Sequence, residues 1–158
     1  MKNKDGIDNL LAELPTELLE SEIEYIGIVI DADENITLRW ENLSTILYKE
    51  GYNLPHKPCN EGSIVHHTQD EKPILGIWIM PNNILSGMLE DFIQYLVPEG
   101  DCLIDYADKV IGTIPEKRFV DCHFSKARIH TWLAWQEDPG TPLGLAITKH
   151  YLDPDKDE

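Results

Sequence analysis

Three observations in the sequence predict an α/β fold with a small, mostly parallel sheet flanked by helices. The first is Ile26-Gly27-Ile28-Val29-Ile30, an unbroken aliphatic run that stops at Asp31-Ala32-Asp33-Glu34. Such a run reads as a strand buried on both faces, of the kind parallel sheets use, carrying carboxylates to the carboxyl edge of the sheet. The second is Ile74-Leu75-Gly76-Ile77-Trp78-Ile79-Met80, which echoes the first run. The third is a helical stripe lying between them, so that strand, helix and strand form a right-handed crossover unit. Its two loops, after Ile30 and after Met80, then open on the edge where α/β sheets bind ligands.

With 158 residues and 42% hydrophobic content, the chain can bury one proper core. We expect a single domain over residues 1–152 and a disordered acidic tail over 153–158. Lysine and arginine number 13 against 29 acidic residues, a net charge of −16. That balance repels nucleic acid and anionic membrane unless metal ions or a basic partner intervene, and it counts against a free-standing DNA-binding domain. Cys59, Cys102 and Cys122 are widely spaced and include no Cys-x-x-Cys pair, so neither a disulfide framework nor a four-cysteine zinc site is indicated. A reducing cytoplasm is the expected setting. No apolar run approaches the roughly 18 residues of a membrane span, and the polar N-terminus does not read as a signal peptide.

Taken in order, Ile7, Leu10, Leu11, Leu14, Leu18 and Leu19 recur at helical spacing, interrupted by Pro15, which predicts two short helices or one broken helix. Glu22 to Ile30 form the central strand. Asn35 caps the next helix, whose stripe is Ile36, Trp40, Leu43 and Leu47, and Gly51 ends it in a left-handed conformation. Residues 52–72 read as a long crossover with a short β-like piece at Ser63 to Val65. After the second aliphatic strand, Ser86 caps a helix from Gly87 to about Leu96, with Glu90 and Asp91 in its favourable first turn. Leu103 to Ile111 read as helix, and Phe119 to Cys122 as strand or loop. Ser125 caps a helix to about Trp135 that faces inward through Ile129, Trp132 and Leu133. Leu143 to Tyr151 form a terminal helix after the turn at Pro139-Gly140-Thr141-Pro142.

Strand alternation places Asp31 and Asp33 on one side with the small Ala32 between them, so both carboxylates face one hard cation such as Mg2+ or Mn2+. The plainer reading has them solvate a loop and cap a helix. Glu34 reads as a solvated helix-start acid, and Glu90 and Asp91 also serve simply as partners of a helix dipole. His66 and His67 face opposite ways on a strand. His56 with Cys59, or Cys122 with His123, lack the spacing of a zinc site. Trp132 and Trp135 read as packing rather than base-stacking residues, and Lys126 and Arg128 as surface charges.

Four segments, Gly27 to Asn35, Gly76 to Asn83, Gly87 to Asp91 and His130 to Glu137, together resemble a family of small prokaryotic proteins that is similar to the TOPRIM domain. That domain is the metal-binding fold of topoisomerases, primases and overcoming-lysogenisation-defect nucleases. The resemblance covers about Lys4 to Tyr151. It implies a three-layer, Rossmann-like domain in which Asp31 and Asp33 match the Mg2+-holding Asp-x-Asp pair. Glu90 matches a helix-borne metal ligand, Asp91 stands beside it, and Lys126 matches a phosphate-contacting catalytic lysine. TOPRIM enzymes also carry a glutamate on a first strand, ahead of the region corresponding to Lys2 through Leu14, and the sequence lacks that strand. Glu13, Glu17 and Glu20 lie on apparent helices and do not replace it. The sheet edge so exposed calls for a protein partner or a second copy of the chain.

The function implied is a metal-dependent nuclease or phosphodiester-processing component that reaches nucleic acid through its metal. For the absent strand three readings remain: a chain inactive alone, a truncated or mis-started form, or one that takes the strand and its acid from a partner polypeptide. Two alternatives stay open. One is a catalytically silent subunit that binds a basic or ATPase partner. The other is a haloacid-dehalogenase-like phosphatase, which Asn35 and the later segments fit poorly.

Overall fold

A computed structural model describes residues 6–19, 23–69 and 72–155, and these fall into two compact units, one ending at Met88 and the other beginning at Leu89. The sequence reading gathers residues 1–152 into one domain. The first unit runs α1 (Ile7–Glu17), β1 (Tyr25–Asp31), α2 (Ile36–Lys49), β2 (Ser63–Val65) and β3 (Ile74–Met80). Its strands are ordered β1-β3-β2, with β3 parallel to β1 from Tyr25–Ile74 to Asp31–Met80 and antiparallel to β2 from Ser63–Ile77 to Val65–Leu75. The sheet is therefore mixed, and the expected parallel pairing joins the two aliphatic runs. Both runs end at the same edge.

The core of this unit joins Leu14 and Leu18 to Ile28 and Ile30 of β1, Trp40, Leu43 and Leu47 of α2, and Leu75, Ile77 and Ile79 of β3. The predicted stripe of α2 is thus the buried one, and Asn35 caps its first turn by accepting from the Leu38 amide at 3.0 Å. Glycine at position 51 ends it with φ 89, as expected. Pro15 does not break α1 into two. It lies in the last turns, and the Leu18 amide beyond it still reaches the Leu14 carbonyl at 3.0 Å. Of the helical acids, Glu13 and Glu17 lie on α1, while Glu20 and Glu22 are outside the described residues.

Two expectations about β1 need correction. It begins at Tyr25, and among the described strands it forms an edge rather than the centre, because β3 takes both neighbours. Nor is it buried on both faces: Ile28 and Ile30 are buried while Val29 is 57% exposed, and on β2 Ile64 is 75% exposed. Every side chain of the run is apolar, so no polar alternation marks which face is covered.

The second unit contains α3 (Leu89–Ile93), a 3-10 turn at Gln94–Leu96, α4 (Cys102–Gly112), a second 3-10 turn at Asp121–His123, α5 (Phe124–Leu133) and α6 (Leu143–Thr148). Ile93, Ala107, Ile129, Trp132, Leu133, Ala146 and Leu152 make its core. The buried Trp132 indole donates to Asp101 Oδ2 at 2.9 Å, and Asp101 Oδ1 caps α4 through the Leu103 amide at 2.9 Å. Arg128 is no loose surface charge. Its fork grips Asp108 at 2.7 and 3.0 Å and Gln94 at 2.9 Å, tying α4 and the first 3-10 turn to α5.

Several boundaries also move. The helix expected from Gly87 starts at Leu89, the segment before Asp121 forms no strand, and α6 stops at Thr148. Ser125 lies inside α5 and donates to Asp91 instead of capping. The acidic tail is anchored at its start, where the Asp153 amide donates to the Leu96 carbonyl at 2.7 Å; residues 156–158 are outside the described part. Among the described residues, no helix is long and apolar enough to cross a membrane.

Candidate functional site

The acidic loop leaves the carboxyl end of β1, but not by strand alternation. The strand ends at Asp31, and Asp33 adopts a left-handed backbone with φ 52, so the strand alternation expected to set both carboxylates on one side does not extend to Asp33. Aspartate is among the few residues that accept this conformation. The surrounding chain pins it there. Ala32 donates to the Met80 carbonyl at 3.1 Å, and Asp33 and Gly87 exchange two backbone hydrogen bonds of 2.7 Å each. The Ile36 amide, unpaired at the start of α2, donates to Ser86 Oγ at 3.3 Å. Ser86 therefore helps to begin α2, not α3. The two loops at the carboxyl edge are stitched into one layer of backbone.

That second loop has its own frame. Asn83 is buried, holds φ 61, accepts from the Ile79 amide at 2.7 Å and donates to the Asn60 carbonyl at 3.3 Å. Asn82 Oδ1 accepts from the amides of Ile84 and Leu85 at 3.2 and 2.9 Å. These side chains do the work of missing backbone partners.

Arg39, one turn into α2, closes the acidic loop. Its Nε donates to the Asp31 carbonyl at 2.9 Å, and its Nη2 forms an ion pair with Asp33 Oδ2. The Arg39 side chain is 14% exposed and that of Asp33 49%. One planar cation thus spans the backbone of the first aspartate and the carboxylate of the second.

The other residues singled out in the sequence lie in the second unit, on α3 and α5. Glu90 is buried, and its Oε1 lies 3.5 Å from Lys126 Nζ and 3.6 Å from His130 Nε2. Lys126 and His130 are one turn apart on α5, a spacing that sets them on the same side of the helix. The structure thus brings Glu90 and Lys126 together, and it adds His130. Asp91 accepts the Ser125 hydroxyl, so part of its role is to fasten α3 to α5.

Asp31 and Asp33 suit a hard divalent cation by donor type, since both offer carboxylate oxygens, and Asp33 already holds a cation in Arg39. Among the described residues, no group of three or more His, Cys, Asp or Glu side chains is placed to hold a metal. Two carboxylates fall short of the four ligands of a closed zinc site. The three cysteines are free and exposed. Sequence reasoning missed Arg39 and His130. The first could have been found as the only arginine within a helical turn of the Asn35 cap, the second from its one-turn spacing to Lys126.

The whole chain, residues 1–158, matches the family described as Protein of unknown function (DUF3226), and it belongs to that family. No curated protein and no solved structure matches it.

Proposed function

We propose that this DUF3226 chain is a divalent-cation-binding domain of the TOPRIM type that processes nucleic-acid phosphodiesters as part of a larger assembly. One observation carries the reading: Asp31 closes β1 at its carboxyl end and Asp33 follows it two residues on, in a loop whose backbone is fixed to the loop after β3 by the reciprocal Asp33–Gly87 bonds. A backbone fixed in this way spares the ordering that a mobile loop would require on binding an ion. Mg2+ or Mn2+ bound there supplies polarisation of a phosphodiester and activation of water. The chain's own part is to hold the cation through Asp31 and Asp33 and to anchor the loop through Arg39. Within the second unit the resemblance gives Glu90 the part of an acid and Lys126 that of a phosphate contact. Lys126 leaves its partner Glu90 to do so, a step eased by its side chain being about half exposed (48%). The net charge of −16 supports work within an assembly, because a basic partner is needed to bring a polyanion to this surface.

The test is thermal. Melting of the purified chain should shift upward with Mn2+ or Mg2+ by mass action, and the variant carrying both Asp31→Ala and Asp33→Ala should lose that shift. A double variant that still responds as the parent does places the cation elsewhere and sinks the reading.

A second reading, a catalytically silent subunit that docks a basic or ATPase partner, draws on the exposed Tyr25, Val29 and Ile64 of the sheet. It expects no metal response at all.

A further inference from the structure

We infer that Arg39 is the built-in occupant of the cation site, competing with the divalent ion for Asp33 and setting the affinity at which the ion enters. The inference rests on the proposed reading of Asp31 and Asp33 and deepens it. Two contacts carry it, and they have opposite consequences. The Nη2 contact neutralises the Asp33 carboxylate, so an arriving cation must displace it or share the oxygen with a like charge. The Nε contact at 2.9 Å fixes the Asp31 carbonyl and therefore the loop on which both acids ride. An exchange of partners at the guanidinium is what frees Asp33 for an arriving ion. With Asp33 about half exposed and Arg39 mostly buried, the carboxylate can meet solvent ions while the arginine stays in reach to reclaim it. A site whose competent form is only partly populated binds with its affinity reduced by that fraction.

Two variants separate charge from anchoring. Arg39→Met removes the charge and both contacts while keeping an apolar stem. Arg39→Gln removes the charge but keeps an amide donor for the Asp31 carbonyl. Mn2+ affinity is measured by calorimetry and by the shift in melting temperature, beside the melting temperature without metal. For Arg39→Gln we expect binding tighter by roughly two- to fivefold, the range a half-exposed ion pair can withhold. Arg39→Met should melt at a lower temperature without metal and gain more from Mn2+ than the parent. Arg39→Lys, which keeps the charge, should stay near the parent. If the parent binds Mn2+ and a folded Arg39→Gln chain binds it equally or more weakly, the competition is wrong and the metal reading stands. If neither parent nor variants bind Mn2+ at millimolar concentration, the metal reading fails and this inference falls with it.

Discussion

Around position 52 a single group of residues shows how local chemistry sets a stability limit. Tyr52 is buried, donates its hydroxyl to the Pro73 carbonyl at 2.9 Å and meets the His67 ring edge-on at 4.7 Å. His67 accepts from the Gln69 amide at Nδ1, 2.8 Å away, so its Nε2 carries the proton donated to the Glu50 carbonyl, also at 2.8 Å. Glycine is required at 51 both for its φ of 89 and because a Cβ there would lie 2.3 Å from His67 Nε2. Burial pushes the Tyr52 hydroxyl above its ordinary value of 10.0. The sign of the consequence follows from proton counting. Between the unfolded and the raised folded value, the folded chain holds a proton that the unfolded chain has released, so stability falls as pH rises. The contribution is whole below about 10 and is lost as pH climbs through the folded value. Tyr52→Phe should cost about 1 kcal/mol at neutral pH through the lost hydrogen bond, and should flatten the alkaline decline in melting temperature relative to the parent. Equal declines in the two chains would remove Tyr52 as its source.

The strand-end loops are where elements, rather than single residues, decide the geometry. The loop after β3 depends on Asn83, whose side chain replaces a backbone partner for Ile79 and whose φ of 61 suits asparagine better than alanine. Asn83→Ala should therefore destabilise the fold by about 2–3 kcal/mol in denaturant titration, through an orphaned buried amide and a strained backbone. Because the same loop carries Ser86 and Gly87, the bonds to Ile36 and Asp33 should loosen with it, and faster amide exchange at Asp33 would report that. A change smaller than about 0.5 kcal/mol would mean that the loop holds itself without this side chain. The sequence made α2, its cap at Asn35, its stop at Gly51 and the pairing of the two aliphatic runs legible, because each rests on local periodicity or a single special residue. It did not make the Asp33 backbone legible, since the left-handed turn is imposed by Gly87, far away in the chain. The one-sided burial of β1 was hidden by uniform apolarity. Serine before a helix is usually its cap, but Ser125 lies inside α5 and its hydroxyl donates to Asp91. Arg39 could be placed on its helix but not on the acids, which required knowing how the loop folds back.

Across the whole chain, 29 acidic groups against 13 basic ones make self-repulsion a general term that any added salt will relieve. Mg2+ therefore acts on such a chain in two ways, by screening its charge and by binding to particular carboxylates. The two effects separate by dose and by residue. Screening follows ionic strength and reaches most of its effect by about 0.1–0.2 M, where the Debye length is roughly 8–10 Å. Site binding saturates with the concentration of the divalent ion and requires particular carboxylates. Melting temperature should therefore rise as NaCl increases from low concentration, in the parent and in the Asp31→Ala, Asp33→Ala chain alike. At matched ionic strength, replacing part of the NaCl by MgCl2 should raise it further in the parent, whereas the double variant should follow the NaCl curve. If the parent too follows ionic strength alone, the divalent ion acts only as counterion to a charge of −16, and the acidic loop holds nothing beyond its own arginine.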